Sequence, residues 1–177
     1  MPGDQLDRLA VAEVVTTTVF LSELGEWRRY GENYTDTVVL DYSPSIGESE
    51  MRFERSELVA FSRAMLSVFD ATQHQVTNVI VDLDGDQAVA RSQMRASHRI
   101  GEDVWVRGGV YIHRLERNAS GWKIWSQTRV ALYEEGSRVV ARRASEQGAA
   151  LLEARDRHAV KDQDPGDGTR QHMNQEN

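Results

Sequence analysis

The stretch Thr72–Glu135, TQHQVTNVIVDLDGDQAVARSQMRASHRIGEDVWVRGGVYIHRLERNASGWKIWSQTRVALYEE, decides the fold. Strand-favouring residues fill it, and three turn signals cut it: Asp84-Gly85-Asp86, Gly101-Glu102-Asp103 and Asn118-Ala119-Ser120-Gly121. Gly, Asp and Asn tolerate the left-handed backbone of tight hairpins, so the stretch predicts a meander of four long antiparallel strands. Alternation then predicts the faces. On the first strand His74, Val76, Asn78 and Ile80 point one way. On the second, Ala88, Ala90, Ser92, Met94, Ala96 and His98 share a face, with Arg91, Gln93, Arg95 and Arg99 opposite. His98 thus lies on an apolar side, beside small residues that leave room. Two histidines on adjoining strands are candidates for proton transfer; the alternative is a core histidine with one satisfied hydrogen bond.

Ahead of the meander, Leu6, Leu9, Val14, Leu21 and Leu24 recur at helical spacing between Asp4 and Leu24, with Gly25 as a C-terminal cap. The run Val14-Val15-Thr16-Thr17-Thr18-Val19 opposes a helix by propensity, but periodicity and length favour one. Trp27 to Tyr34 predicts a short second helix, Asp36 to Tyr42 a strand, and 43–47 a loop. Ser56 is placed to cap a helix running to Phe69. Helices followed by a meander predict an α+β architecture. Beyond Glu135, residues 137–158 read as a helical extension rich in Ala, Arg and Glu, and 159–177 as a disordered polar tail.

The chain has 177 residues with 40% hydrophobic content, enough for one ordinary domain with a core. Its net charge of −7 argues against a general nucleic-acid binder. With no cysteine, thiolate catalysis and Cys-based zinc sites are excluded, and a reducing compartment fits. No leader-like or membrane-spanning apolar run is found, which makes a cytoplasmic protein without membrane contact the expectation. There is no GxGxxG or GxxxxGK[ST] loop to imply a nucleotide. Two histidines and a carboxylate also suit a mononuclear metal, but the paired-ligand spacing of such sites is missing, so no metal is expected.

Thr72-Gln73-His74, the strand ending Leu40-Asp41-Tyr42, His98 and Gly121-Trp122-Lys123-Ile124 resemble the SnoaL-like proteins of the nuclear-transport-factor-two-like superfamily, and within it the scytalone dehydratases. The resemblance covers roughly residues 4–135. It implies a cone-shaped α+β barrel, in which a strongly curved antiparallel sheet is closed by N-terminal helices around a deep pocket. It also implies an enzyme that needs no metal or cofactor. Carried over by position, His74 and His98 match the two family histidines. Tyr42 matches the tyrosine that polarises the carbonyl, and Glu23 takes the place of the family's aspartate. His74-Gln75-Val76-Thr77-Asn78 is also similar to the catalytic-histidine segment of hexachlorocyclohexane dehydrochlorinase. Ser22, Gly109 and Tyr111 depart from scytalone dehydratase, so the substrate contacts differ.

The expected chemistry follows from the residue types. A neutral imidazole takes and returns a proton near neutrality, and a carboxylate on its other nitrogen fixes the tautomer. Tyr42 donates to a developing enolate oxygen. Tyr111, Trp105, Trp125, Gln127, Arg129 and Asn78 are the candidate substrate contacts. The expected activity is that of a dehydratase, isomerase or cyclase on a small, largely apolar carbonyl or polyketide-like compound. The alternatives are an epoxide-opening cyclase or a non-catalytic small-molecule-binding module. A homo-oligomer, dimer or trimer, is expected through Val104, Val106, Val110 and Ile112 on the outer face of the sheet.

Overall fold

The computed structural model describes residues 2–42 and 50–162. Helix α1 (Pro2–Glu23) includes the β-branched run. There the hydroxyls of Thr16, Thr17 and Thr18 donate to the carbonyls of Ala12, Glu13 and Val14, four residues back. The run therefore keeps its hydroxyls satisfied without leaving the helix. The buried stripe is Val11, Val15, Thr18 and Leu21. It differs from the expected one: Leu6 and Leu9 are 70% and 68% exposed, and Leu24 is exposed too. A mainly β-branched stripe with Leu21 packs against the sheet, while Leu6, Leu9 and Leu24 face out.

Helix α2 (Trp27–Glu32) is followed by strands β1 (Tyr34–Asp41) and β2 (Met51–Glu54). The second strand was not expected; its Met-Arg-Phe-Glu alternation buries Met51 and Phe53, but four residues make a weak signal. Helix α3 (Arg55–Leu66) starts earlier than Ser56 suggested. Its cap is Glu54, whose backbone N–H donates to Glu57 Oε2 at 3.0 Å. The reciprocal contact of a capping box outcompetes a lone serine hydroxyl. Residues of the expected 43–47 loop and the tail from 163 lie outside the described residues.

The meander is as expected: β3 (Ala71–Asp84), β4 (Gln87–Ile100), β5 (Asp103–Asn118) and β6 (Gly121–Gly136). Gly85, Gly101 and Gly121 take positive φ at the three turns, where a Cβ would be strained. The sheet has six strands in the order β2-β1-β6-β5-β4-β3, with β1 parallel to β6 and every other pair antiparallel. It curves without closing, since β2 and β3 remain edges. Helix α4 (Arg138–Asp162) then packs on β5 and α3.

Bulges divide the long strands into two phases. Pairing of β3 with β4 shifts between Thr77 and Ile80, and Asn78 there has φ 53°. Past the bulge Val81 turns into the core and Ile80 is 63% exposed. Asn78 and Ile80 therefore do not share the face of His74 and Val76, because one extra residue reverses strict alternation. On β6, Arg114 pairs with Ser126 but Leu115 with Ile124, so Trp125 is the inserted residue. Trp122 and Ile124 face the core, whereas Gln127 and Arg129 face a cavity. Such bulges bend a sheet and raise its twist, which here shapes the cone.

Candidate active site

The cavity of about 530 Å³ lies between the concave sheet and helices α1, α3 and α4, within the usual range for small-molecule sites. Its walls are mainly apolar and aromatic, with Leu40, Met51, Phe61, Phe69 and Leu152 among them. Helix α4 contributes Ala144, Gly148 and Leu152, so the C-terminal extension forms part of the cavity wall.

Glu23 ends α1 beside the start of β3. Its Oε1 accepts from the backbone N–H of His74 and lies 3.0 Å from His74 Nδ1. The two side chains are 16% and 14% exposed, so water competes little for the contact. With Nδ1 committed to the carboxylate, Nε2 is the nitrogen left for a ligand. The His98 ring meets His74 edge to face, centroids 5.3 Å apart, and leans on Trp105 at 4.9 Å. Burial, followed by the charges of His74 and Arg107, lowers the His98 pKa to about 3. His98 is therefore a neutral hydrogen-bonding group at physiological pH.

A second wall is built on β1, β5 and β6. Gln127 Nε2 donates to the Tyr42 hydroxyl at 3.1 Å, and Gln127 Oε1 lies 3.2 Å from His113 Nε2. His113 is fully buried, and burial lowers its pKa to about 4, so it stays neutral. Nε2–H of His113 thus orients the Gln127 amide, and Tyr42, as an acceptor, keeps its own O–H to donate into the cavity. Arg129 stacks on the Tyr42 ring at 4.0 Å. Tyr111 points inward and is buried; burial, then Tyr42, pushes its hydroxyl up to about 12.

Of the sequence candidates, His74, His98, Tyr42, Tyr111, Trp105, Gln127 and Arg129 line the cavity, with Glu23 directly behind His74. Two stand apart. Asn78 lies on the outer face, its Nδ2 donating to Gln93 Oε1 at 2.6 Å. Trp125, the bulge residue, does not line the cavity. Three residues were missed: Arg107, His113 and Tyr30. Arg107 and His113 share β5 parity with Tyr111, and that was the available signal. Gly109 leaves no room for a side chain, since a Cβ there would meet the Val130 carbonyl oxygen at 2.1 Å. Among the described residues no three His, Asp or Glu side chains gather as a metal site, and no helix is long and apolar enough to cross a membrane.

The buried histidines make stability pH-dependent. Unfolded histidines titrate near 6.5, while His98 and His113 resist protonation down to about 3 and about 4. Between those values the unfolded chain binds more protons, so stability falls as pH drops from about 6.5 towards 4. Each histidine contributes up to about 1.4 kcal/mol per pH unit. Urea midpoints measured from pH 7 to 4.5 should decline, and His113→Gln should flatten the slope.

An open, curved α+β sheet wrapped around a pocket, with helices over its mouth, defines the nuclear-transport-factor-two-like class. The chain belongs to the SnoaL-like domain family, whose model matches residues 4–128. A protein of Kribbella flavida is 27% identical and superposes with TM-score 0.73 over 80% of this chain and 99% of its own. A proposed scytalone dehydratase from Novosphingobium aromaticivorans is 14% identical, TM-score 0.68, covering 78% and 93%. A hexachlorocyclohexane dehydrochlorinase from Novosphingobium barchaimii is 15% identical, TM-score 0.61, covering 76% and 94%. The last two likenesses speak to fold. No functionally curated protein matches the chain.

Proposed function

We propose that the protein is a cofactor-independent acid–base enzyme, a lyase or isomerase acting on a small apolar carbonyl compound. The contact between Glu23 Oε1 and His74 Nδ1 carries this reading, because it holds one histidine tautomer with its other nitrogen towards the cavity. In a dehydration, His74 Nε2 takes the proton from the carbon beside the ketone. The electron pair moves to the carbonyl oxygen, where the Tyr42 hydroxyl donates. Collapse of the enolate expels the β-hydroxyl, which leaves as water with the proton returned by His74. Neutral His98 hydrogen-bonds the departing oxygen. Without a β-leaving group, His74 returns the proton to the enolate: at the same carbon this exchanges the α-hydrogen, and at the γ-carbon of a β,γ-unsaturated ketone it moves the double bond into conjugation. Dehydratase and dehydrochlorinase names among the structural neighbours agree with proton abstraction as the first step.

The test is proton exchange. A panel of aryl and alicyclic ketones, with and without β-hydroxyl groups, is incubated in deuterium oxide and followed by NMR. Protein-dependent deuteration or water loss that vanishes in His74→Gln is the expected result. Binding without exchange across the panel would favour a non-catalytic module. We also propose self-association through the outer face of β5. Val104 is 43% exposed there and Val110 and Ile112 are half-buried, whereas Val106, expected in the same outward stripe, is buried at 8%. Val110→Glu should shift the light-scattering mass downwards; a wild-type monomer at micromolar concentration refutes association.

A further inference from the structure

Tyr30, Tyr34 and Ser62 line the cavity and are tied to one another. The Tyr34 hydroxyl donates to the Tyr30 oxygen at 3.2 Å, and the Tyr30 and Ser62 hydroxyls share a second bond at 2.9 Å. Tyr30 comes from α2, Tyr34 from the start of β1 and Ser62 from α3, so three elements converge on the cluster. The Tyr30 ring is held between Trp27, edge-on at 5.7 Å, and Tyr34 at 5.1 Å. Both tyrosines are buried. Burial raises the Tyr30 pKa to about 12 and that of Tyr34 well above its ordinary value, so both keep their protons.

The hydrogens do not balance within the cluster. Three hydroxyls carry three hydrogens, and the two bonds among them use two. None of the three hydroxyls has another hydrogen-bond partner among the described residues. One hydrogen is therefore left over whichever way the bonds run. Since Tyr34 donates to Tyr30, the spare hydrogen is on Ser62 when Tyr30 donates to it, and on Tyr30 when Ser62 donates. A buried donor without an acceptor is destabilising, and a hydrogen-bonded chain polarises its last O–H. The groups that act most on Tyr30 and Tyr34, besides each other, are the hydroxyls of Ser62, Tyr42 and Tyr111. Arg55 reaches the Tyr34 backbone carbonyl, but it does not line the cavity and pairs with Asp36 at 2.7 Å. The cluster thus suits a neutral acceptor rather than an anion.

We propose that the substrate carries a second, neutral acceptor oxygen, a carbonyl, ether or hydroxyl, which takes the spare hydrogen of the Tyr34–Tyr30–Ser62 cluster. Ser62 and Tyr30 are then specificity-determining residues. This deepens the acid–base reading above and rests on it only for which oxygen reacts. The ketone meets Tyr42, while the second oxygen stays unreactive and fixes how the carbon skeleton lies against the apolar walls.

The probes are acetylnaphthalenes that carry either a methoxy or an ethyl group at the same ring position, taken position by position and measured by equilibrium dialysis. Methoxy and ethyl are close in shape, and only methoxy accepts a hydrogen bond. At one ring position or more, the wild type should bind the methoxy compound about fivefold tighter than the ethyl, the scale of a neutral hydrogen bond. Combining Ser62→Ala with Tyr30→Phe removes both hydroxyls that can carry the spare hydrogen. The preference should then vanish, while unsubstituted acetylnaphthalene stays within about threefold of its wild-type affinity, because apolar contacts carry it. Binding of that parent ketone also reports that the double variant has folded, and the wild-type scan decides the matter even if it has not. A scan without a methoxy preference at any position overturns the proposal. So does binding too weak to detect up to the solubility limit, or a preference that survives in the double variant. His74→Gln should keep the methoxy preference while deuterium exchange is lost. Exchange by the wild type without any preference sinks this proposal alone, and a preference without exchange sinks the acid–base reading alone.

Discussion

Turnover should fall by roughly 10³-fold when His74 is replaced by glutamine, within the range for removing a positioned general base. The substitution deletes the only titratable nitrogen that Glu23 holds towards the cavity. Glutamine is close in size and can still reach the carboxylate with its amide, so the fold should survive. A thermal midpoint within a few degrees of wild type would confirm that the loss is chemical. Substrate affinity should change little, since apolar walls make most of the contact. Wild-type turnover in this variant would end the acid–base reading.

Glu23→Gln should slow turnover by roughly 10²-fold, because a neutral amide no longer stabilises the imidazolium. The residue does not line the cavity, so KM should stay near its wild-type value while kcat drops. Here the double variant is informative. If Glu23 acts only through His74, then adding Glu23→Gln to His74→Gln costs nothing further, as for residues that work as one unit. A further tenfold loss in the double variant would mean that Glu23 has a role of its own.

The hairpin turns were legible because they depend on local chemistry: Gly85, Gly101 and Gly121 each adopt the backbone their residue type permits. The acid–His pair was legible through resemblance, since Glu23 and His74 stand 51 positions apart and no spacing rule joins them. The outer-face position of Asn78 was hidden because alternation assumes an unbroken ladder, and a bulge is a tertiary accommodation. Leu6 and Leu9 misled for a related reason. Apolar spacing identifies a helix, but which stripe meets the sheet depends on packing. Arg107 escaped notice because a charged side chain between Trp105 and Gly109 reads as solvent-facing until its stacking partner and Glu134 are seen.

The bulge at Trp125 has a consequence for lineage. Counted from Trp122 in strict twos, β6 would send Ser126, Thr128 and Val130 inward and turn Gln127 and Arg129 out. From Trp122 to Ala131 the strand is thus read in two frames, one for the core and one for the cavity, before a second shift at Leu132. A relative without the insertion can keep Gln127 and Arg129 in place by losing one residue, whereas two point substitutions in the wrong frame would not restore them. Against any strand that lacks the extra residue, pairing β6 position by position without a gap at Trp125 would set cavity residues opposite outer ones.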